Sequence, residues 1–422
     1  MQTSEQDAPQ GAEQQAHQET ALSGGRIALA IVALSMGGFA IGVTEFGIMG
    51  LLQEAVADLD ITIPQGGHLV SAYALGVVVG GPVLALFAAK RERRAFALML
   101  LGVFALGHVA SFLAPNYQTM LAARFISGLP HGAYFGVAAL MAAQMAGPTR
   151  RAKAISAVLA GLAVANVIGV PVVTSIGQIF GWRWMFAIVL VLALATMIAV
   201  RAFAPRQVPA AGASMRGELK GLRNRRLWVG VALAVVGFSG MFALYSYISP
   251  VMTDVAGLDA QYLPFVVGLY GVGMVIGNFL GGWATDKSVL GTVIIAMSLV
   301  AVFLFAFGLS AGALIPALLF MVLVAVTSSM LSPSMQTHLI DTAPNAPNAA
   351  ASIHHSAFNG ANALGAILGA QVIAWDWGLR APSIVGGVGA AIGVLIALYA
   401  VKLTRQAESA HSEAAQSEAG TV

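Results

Sequence analysis

The chain has 422 residues, 58% of them apolar and only 9% charged, with a mean hydropathy of +0.82 and a formal net charge of +3. A soluble domain carries about 25% charged residues to keep its surface solvated, so a chain this long and this poor in charge takes lipid as its solvent. It contains no cysteine, which excludes disulfides and thiolate metal sites.

Residues 1–25 are polar and mildly acidic (Glu5, Asp7, Glu13, Glu19) and lack the basic start of a cleavable signal peptide, so they read as a disordered cytoplasmic tail. A spanning helix needs about 20 mostly apolar residues to cross about 30 Å of hydrocarbon. Twelve stretches qualify: 27–51, 67–89, 95–114, 118–145, 154–179, 184–203, 227–251, 263–284, 290–310, 313–337, 350–374 and 382–403. The strongly basic segment 204–226 divides them into two sets of six. The predicted organisation is an N-terminal bundle over 26–203, a cytoplasmic linker over 204–226, a C-terminal bundle over 227–403 and a cytoplasmic tail over 404–422.

Lysine and arginine placement orients the chain. With a cytoplasmic N-terminus the inside loops hold the clusters Lys90–Arg94, Arg150–Lys153 and Arg206–Arg226, together with Arg26, Arg201, Lys287, Lys402 and Arg405. Outside there are only Arg183 and Arg380, the bias expected of short loops. Trp182, Trp184, Trp228, Trp283, Trp375 and Trp377 all fall at span ends, where indole rings favour the interface. An even number of spans then puts both termini inside.

The two halves repeat at an offset of about 195 residues, the mark of duplicated units. The 2–3 loop ends in Lys90-Arg91-Glu92-Arg93-Arg94, and the 8–9 loop carries Gly282, Asp286 and Lys287. Span 5 has a small-residue stripe at Gly161, Ala165 and Gly169, and span 11 another at Ala357, Ala361, Gly365 and Gly369. Small residues at every fourth position let helices approach closely where no water drives them together. The outside loops that follow contain Trp182-Arg183-Trp184 and Trp375-Asp376-Trp377.

One acid and one strong base lie well inside the predicted spans, Glu45 and Arg124. Intramembrane ionisable groups are costly and are functional candidates by default. At 1.5 Å per residue both lie roughly 10 Å below the outer boundary, on antiparallel helices, so a pair is expected, directly or through water. Burial disfavours a charged carboxyl and a nearby arginine favours it, so Glu45 is a candidate proton carrier with Arg124 as its modulator. A structural ion pair of fixed protonation is the alternative. His131, seven residues after Arg124 and on nearly the same face, could relay protons or contact substrate, or could serve packing alone. No histidine pair has the spacing and acidic partner of a metal site, so metal binding is not expected.

The C-terminal half offers no second charged pair. Tyr245, Tyr247, Asn278, Asn359 and Asn362 there, with Tyr73, Tyr134 and Asn166 in the N-terminal half, are the candidate substrate contacts. Hydroxyl, amide and aromatic groups facing a shared cavity suit an uncharged or amphipathic ligand.

Gly42-Val-Thr-Glu45-Phe-Gly-Ile-Met-Gly50, Arg124-Phe-Ile-Ser-Gly128-Leu-Pro-His131-Gly132, Ala165-Asn166-Val-Ile-Gly169-Val-Pro171 and Ala357-Phe-Asn359-Gly-Ala-Asn362-Ala-Leu-Gly365 occur in that order. With twelve spans and a basic central loop, they make the chain, from about residue 26 to 403, resemble the major facilitator superfamily. Within it the chain is similar to bacterial drug and sugar efflux antiporters of the arabinose-efflux-permease type. The resemblance implies an all-α fold of two pseudo-symmetric six-helix bundles, with substrate near the midplane and alternating access by rocking of the halves. It implies a monomeric protein of the bacterial inner membrane whose energy source is the proton gradient and which needs no cofactor or nucleic acid. It also makes Arg93, Arg94, Gly169, Pro171, Gly282 and Asp286 gating-motif positions. Two motifs depart from the family pattern. Alignment through Arg93-Arg94 puts Ala85, Ala89 and Glu92 where the loop motif has glycine, aspartate and glycine, which weakens the expected latch between bundles, although Asp286 keeps it in the second half. In span 5, Val170 separates the glycine and proline of the antiporter motif.

Proton-driven export of a sugar or amphipathic drug is the function expected. Uptake symport and uncoupled facilitation are rivals on the same fold. A membrane enzyme would need a His-Glu-x-x-His or a pair of intramembrane acids, neither of which occurs. A non-transporting sensor would need a signalling domain, and tails of about 25 and 19 residues hold no apolar core.

Overall fold

A computed structural model describes residues 24–88, 91–147, 150–207, 224–343 and 347–419. Residues 1–23, Ala89, Lys90 and most of the basic linker lie outside the described residues, as do the side chains of Ala85 and of the tail from 404.

Among the described residues every long element is a helix, and twelve are long and apolar enough to cross a membrane. We number them α1 (Gly24–Gly50), α2 (Ile63–Leu84), α3 (Arg93–Leu113), α4 (Tyr117–Ala146), α5 (Lys153–Phe180), α6 (Trp184–Phe203), α7 (Arg225–Tyr245), α8 (Ala260–Thr285), α9 (Val289–Ser310), α10 (Leu314–Thr342), α11 (Ile353–Ala374) and α12 (Ala381–Leu403). The connections alternate between two ends of the molecule. The loops after odd-numbered helices share one end, here the odd-loop end, and the loops after even-numbered helices share the other.

Three expected spans are interrupted, each for a local reason. In α4 the run Tyr117–Gly128 stops before Leu129-Pro130 and resumes as His131–Ala146, because a proline N lacks the donor that continues a helix. In α5, Ala165–Gly169 is a π-helical turn, an insertion often found at functional sites. After α7 the chain turns at Ser246 and Tyr247, then continues as Ile248–Pro250 and a second π-helical turn over Val251–Val255.

Both small-residue stripes are helix contacts. A Cβ at Gly161 would overlap the Ser35 carbonyl, and one at Gly169 would press on Val43 and Phe39, so α5 lies directly on α1. A Cβ at Gly365 would overlap the Ser239 carbonyl, and one at Gly369 the Tyr247 ring, so α11 lies on α7 in the same way. The halves therefore repeat not only motifs but the contact between their first and fifth helices. Between the halves, α2 packs along α11 and α5 packs along α8. The second contact is closest at Gly271, where any side chain would overlap the Asn166 carbonyl, and at Gly268, which faces the Pro171 ring.

At the odd-loop end, Arg183 forms an ion pair with Asp58 and donates to the Ala114 carbonyl at 3.0 Å, while the Trp182 indole donates to Asp58 at 3.1 Å. Three loops of the first half are thereby tied together. Trp182 is accordingly buried, at 2% exposure, unlike Trp184, Trp228, Trp283, Trp375 and Trp377, which present their rings outward as interfacial tryptophans do.

At the even-loop end, Glu92 caps α3 by accepting from the backbone N–H groups of Arg94 and Ala95, each at 2.9 Å. It also accepts from the N–H of Gln207 at 2.9 Å, which joins the 2–3 loop to the start of the linker. Arg93 donates to Gln144 at 2.7 Å and Arg94 to the Ala204 carbonyl at 3.0 Å. Both gating arginines are thus spent within the first half. The latch expected at Asp286 is corrected too: its carboxylate is exposed and no cation among the described residues lies within 4 Å of it. The neighbouring Lys287 sits over the Trp283 ring instead, 3.6 Å from its centroid.

Candidate functional site

The site begins with two adjacent residues of α1. Successive residues on a helix point about 100° apart, so Thr44 and Glu45 face different neighbours. Thr44 faces the interior of the first half. Its carbonyl and hydroxyl accept from Arg124, Nη2 at 3.3 Å and Nη1 at 3.0 Å, while Arg124 Nε donates to the Leu69 carbonyl at 3.2 Å. The guanidinium also lies 4.5 Å from the centroid of the Tyr73 ring. Fully buried charge survives only with such partners, and this set draws on α1, α2 and α4 at once.

The Thr44 hydroxyl also bonds His108 Nε2 at 2.8 Å, and His108 Nδ1 bonds the Phe104 carbonyl at 2.7 Å. A carbonyl can only accept, so Nδ1 carries the proton; in a neutral imidazole Nε2 then accepts from Thr44, whose lone pairs remain for Arg124. On the other side of Arg124, the Tyr73 hydroxyl meets His131 Nδ1 at 3.1 Å. A buried polar line therefore runs from His108 through Thr44, Arg124 and Tyr73 to His131.

Glu45 faces the second half. It is 1% exposed, and its Oε1 accepts from Asn362 Nδ2 of α11 at 3.5 Å. The expected direct pair with Arg124 is not formed: the sole ion pair within 4 Å among the described residues is Arg183 with Asp58. The two charges still interact electrostatically. The reason for the separation is geometric, since Thr44 takes the guanidinium and Glu45 is turned toward Asn362.

Around Glu45 the halves meet through aromatic rings. Phe46 stacks on Phe242 at 6.5 Å and leans on Tyr245 at 5.9 Å, and Tyr245 stacks on Tyr270 at 4.0 Å. Farther toward the even-loop end, Phe135 of α4 stacks on His355 of α11 at 5.6 Å. At the odd-loop end Gln53 donates to Asp254 at 2.9 and 3.1 Å and accepts from Ser249 and Thr253, and Gln178 donates to the Ala260 carbonyl at 2.8 Å. The halves are therefore in contact at these levels, and Tyr73, Tyr134, Tyr245, Tyr247 and Tyr270 are all buried.

The candidate substrate contacts do not share one environment. Tyr134 donates to the Leu34 carbonyl at 2.8 Å and Tyr247 to the Ala366 carbonyl at 2.6 Å, so both hydroxyls are committed to packing. Asn278 lies on an exposed face outside the buried cluster. Asn166, Asn359 and Asn362 each bond through the amide nitrogen and leave a buried oxygen without a partner among the described residues, as does the Tyr270 hydroxyl. Thr44 and Gln53 went unmarked at the sequence level. A threonine in an otherwise apolar helix, level with Arg124, was the available signal; nothing local marks Gln53, whose partners lie about 200 positions away.

The sequence pattern of the Major Facilitator Superfamily matches residues 34–352 and 265–421. The chain belongs to this superfamily. It is 34% identical over 372 residues to "Inner membrane transport protein YdhP" of Escherichia coli strain K12, covering 88% of this chain and 96% of that one. It is 28% identical over 373 residues to "Chloramphenicol resistance protein" of Streptomyces lividans, covering 87% and 95%. The solved D-xylose-proton symporter shares the fold with a TM-score of 0.70 at 20% identity, over 89% of this chain and 97% of that one. The protein is thus a multi-pass membrane transporter, not an enzyme, and its working surroundings are a lipid bilayer and a small-molecule substrate.

Proposed function

We propose that this transporter is a proton-coupled exporter of a small organic molecule in the bacterial inner membrane, with the odd-loop end periplasmic and both termini cytoplasmic. The observation that carries the coupling is the Glu45–Asn362 hydrogen bond, which ties a buried carboxyl of one half to an amide of the other. A hydrogen bond to a charged carboxylate is roughly twice as strong as one to a neutral group. Loading a proton on Glu45 therefore loosens a contact between the halves, and losing it tightens that contact. Arg124 stabilises the ionised form from within the first half, and Tyr73 and His131 extend the polar line toward the cytoplasmic end.

Substrate recognition falls to the amide oxygens of Asn166, Asn359 and Asn362 and the Tyr270 hydroxyl. Buried polar atoms without partners are uncommon and costly; a ligand with hydrogen-bond donors would satisfy them, and the rings of Phe46, Phe242 and Tyr245 would hold its apolar part. Export rather than uptake is supported by the similarity to a chloramphenicol resistance protein.

The test is proteoliposomes carrying wild-type protein or Glu45→Gln with a pH dye inside. Substrate-evoked dissipation of an imposed pH gradient, abolished by Glu45→Gln, is expected. Equal substrate movement by both proteins without a gradient would make the protein a facilitator.

A further inference from the structure

Away from the polar line, a cleft of about 710 Å³ opens between the start of α2 and the end of α11 at the odd-loop end. Its volume lies within the roughly 300–1,000 Å³ of small-molecule sites. Ile63, Ile367 and Ile373 supply apolar walls, Gln65, His68 and Gln371 supply polar groups, and Asp376 of the 11–12 loop stands at its edge.

Asp376 is in a position that helix physics disfavours twice. It has φ +59° just past the C-terminus of α11, with its N–H donating to the Ile373 carbonyl at 3.0 Å. That left-handed capping site is usually glycine or asparagine. A carboxylate there also faces the negative end of the helix dipole, where cations are favoured. No compensation comes from the protein: among the described residues no cation lies within 4 Å of this carboxylate, and Arg380 packs against Gly312 in the next loop instead. Trp375 and Trp377 flank it, 57% and 62% exposed, their rings 5.5 Å apart. Indole faces attract cations, and indoles settle at headgroup depth. A negative charge between two exposed indoles, beside an apolar cleft, is complementary to one class of ligand.

We infer that the α2–α11 cleft is a peripheral binding site for amphipathic organic cations, with Asp376 and the tryptophan pair taking the charge and the isoleucine walls taking the apolar body. The site is separate from the Glu45 region and its occupancy does not depend on the transport reading.

The probe is tetraphenylphosphonium, titrated into the protein in nanodiscs of phosphatidylglycerol with no ion gradient, and read by calorimetry and tryptophan quenching. Wild type and Glu45→Gln should bind alike. Asp376→Asn should weaken binding about tenfold or more, and Trp375→Phe with Trp377→Phe should remove most of the quenching. Asparagine suits the left-handed cap, so Asp376→Asn should fold with an equal or higher Tm, and lost binding cannot then be blamed on unfolding. The inference fails if Asp376→Asn binds as tightly as wild type, or if an uncharged tetraphenyl analogue binds as well as the cation. It also fails if Glu45→Gln alone abolishes binding, which would place the probe in the centre. Loss of probe binding in phosphatidylethanolamine nanodiscs would assign the cleft to a lipid ammonium group rather than a free cation, and would overturn it too.

Discussion

Asn362 of α11 and Glu45 of α1 lie 317 positions apart in the chain, yet the amide nitrogen of one donates to the carboxylate of the other at 3.5 Å, both buried. The other described side-chain hydrogen bonds between the halves, at Gln53 and Gln178, sit at the odd-loop end, so this hydrogen bond alone reaches the acid that the coupling reading uses. Replacing Asn362 by leucine removes the donor and keeps an apolar volume. Leaving a buried acceptor without its donor costs about 1–3 kcal/mol, so substrate-driven proton flux in proteoliposomes should fall about tenfold or more. Equal proton flux in Asn362→Leu would separate this bond from coupling.

Thr44 serves two partners with one hydroxyl, accepting from Arg124 and bonding His108. Thr44→Val keeps the shape and removes the partner of Arg124 Nη1 and of His108 Nε2, which should destabilise the protein by about 1–3 kcal/mol. Thr44→Ser keeps the hydroxyl and should stay within about 1 kcal/mol of wild type, the loss of one methyl group. Thermal unfolding in a fixed detergent compares the three; a Tm for Thr44→Val equal to that of Thr44→Ser would show that the hydroxyl carries none of this stability.

Gln53 closes the odd-loop end by clasping Asp254, Ser249 and Thr253 from across the interface. Gln53→Leu should shift the population toward a state open at that end. The chain has no native cysteine, so a single cysteine at Ser249, buried in the closed state, gives a clean readout. Its alkylation by a membrane-impermeant maleimide should rise several-fold when Gln53→Leu is added, and an unchanged rate would remove Gln53 from the gate.

The helices were legible because lipid imposes their length and composition on the sequence. The stripes at Gly161–Gly169 and Ala357–Gly369 could be read because close backbone approach tolerates few side chains. What the sequence hid was direction around each helix axis. Glu45 and Arg124 match in depth, and depth alone suggests a pair, but the neighbouring Thr44 occupies the guanidinium and turns the carboxylate toward Asn362. Tyr134 and Tyr247 were plausible ligand contacts until the carbonyls of Leu34 and Ala366 claimed their hydroxyls. Such long-range partners are set by packing between distant segments and leave no local pattern.

Glu92 stands where the loop motif of the superfamily has its second glycine, and the structure gives it different work, as the N-cap of α3 and the acceptor for Gln207. Partial burial opposes its ionisation, but the N–H groups of Gln207, Ala95 and Arg94, with the Arg94 charge, outweigh this and hold the carboxyl below its usual range. Because the folded value is lowered, the ionised cap adds stability at every pH above the ordinary value of about 4.3. That stability is lost as the pH falls through the lowered folded value. Glu92→Ala should therefore lower stability at pH 7 by about 0.5–2 kcal/mol, the usual worth of an N-cap. The gap between variant and wild type should shrink steadily below about pH 4, where the wild-type cap becomes protonated. Paired melting curves at pH 7 and at pH 3 decide it: a gap of the same size at both would mean that Glu92 acts through its packing against the linker, and not through the charge that caps the helix.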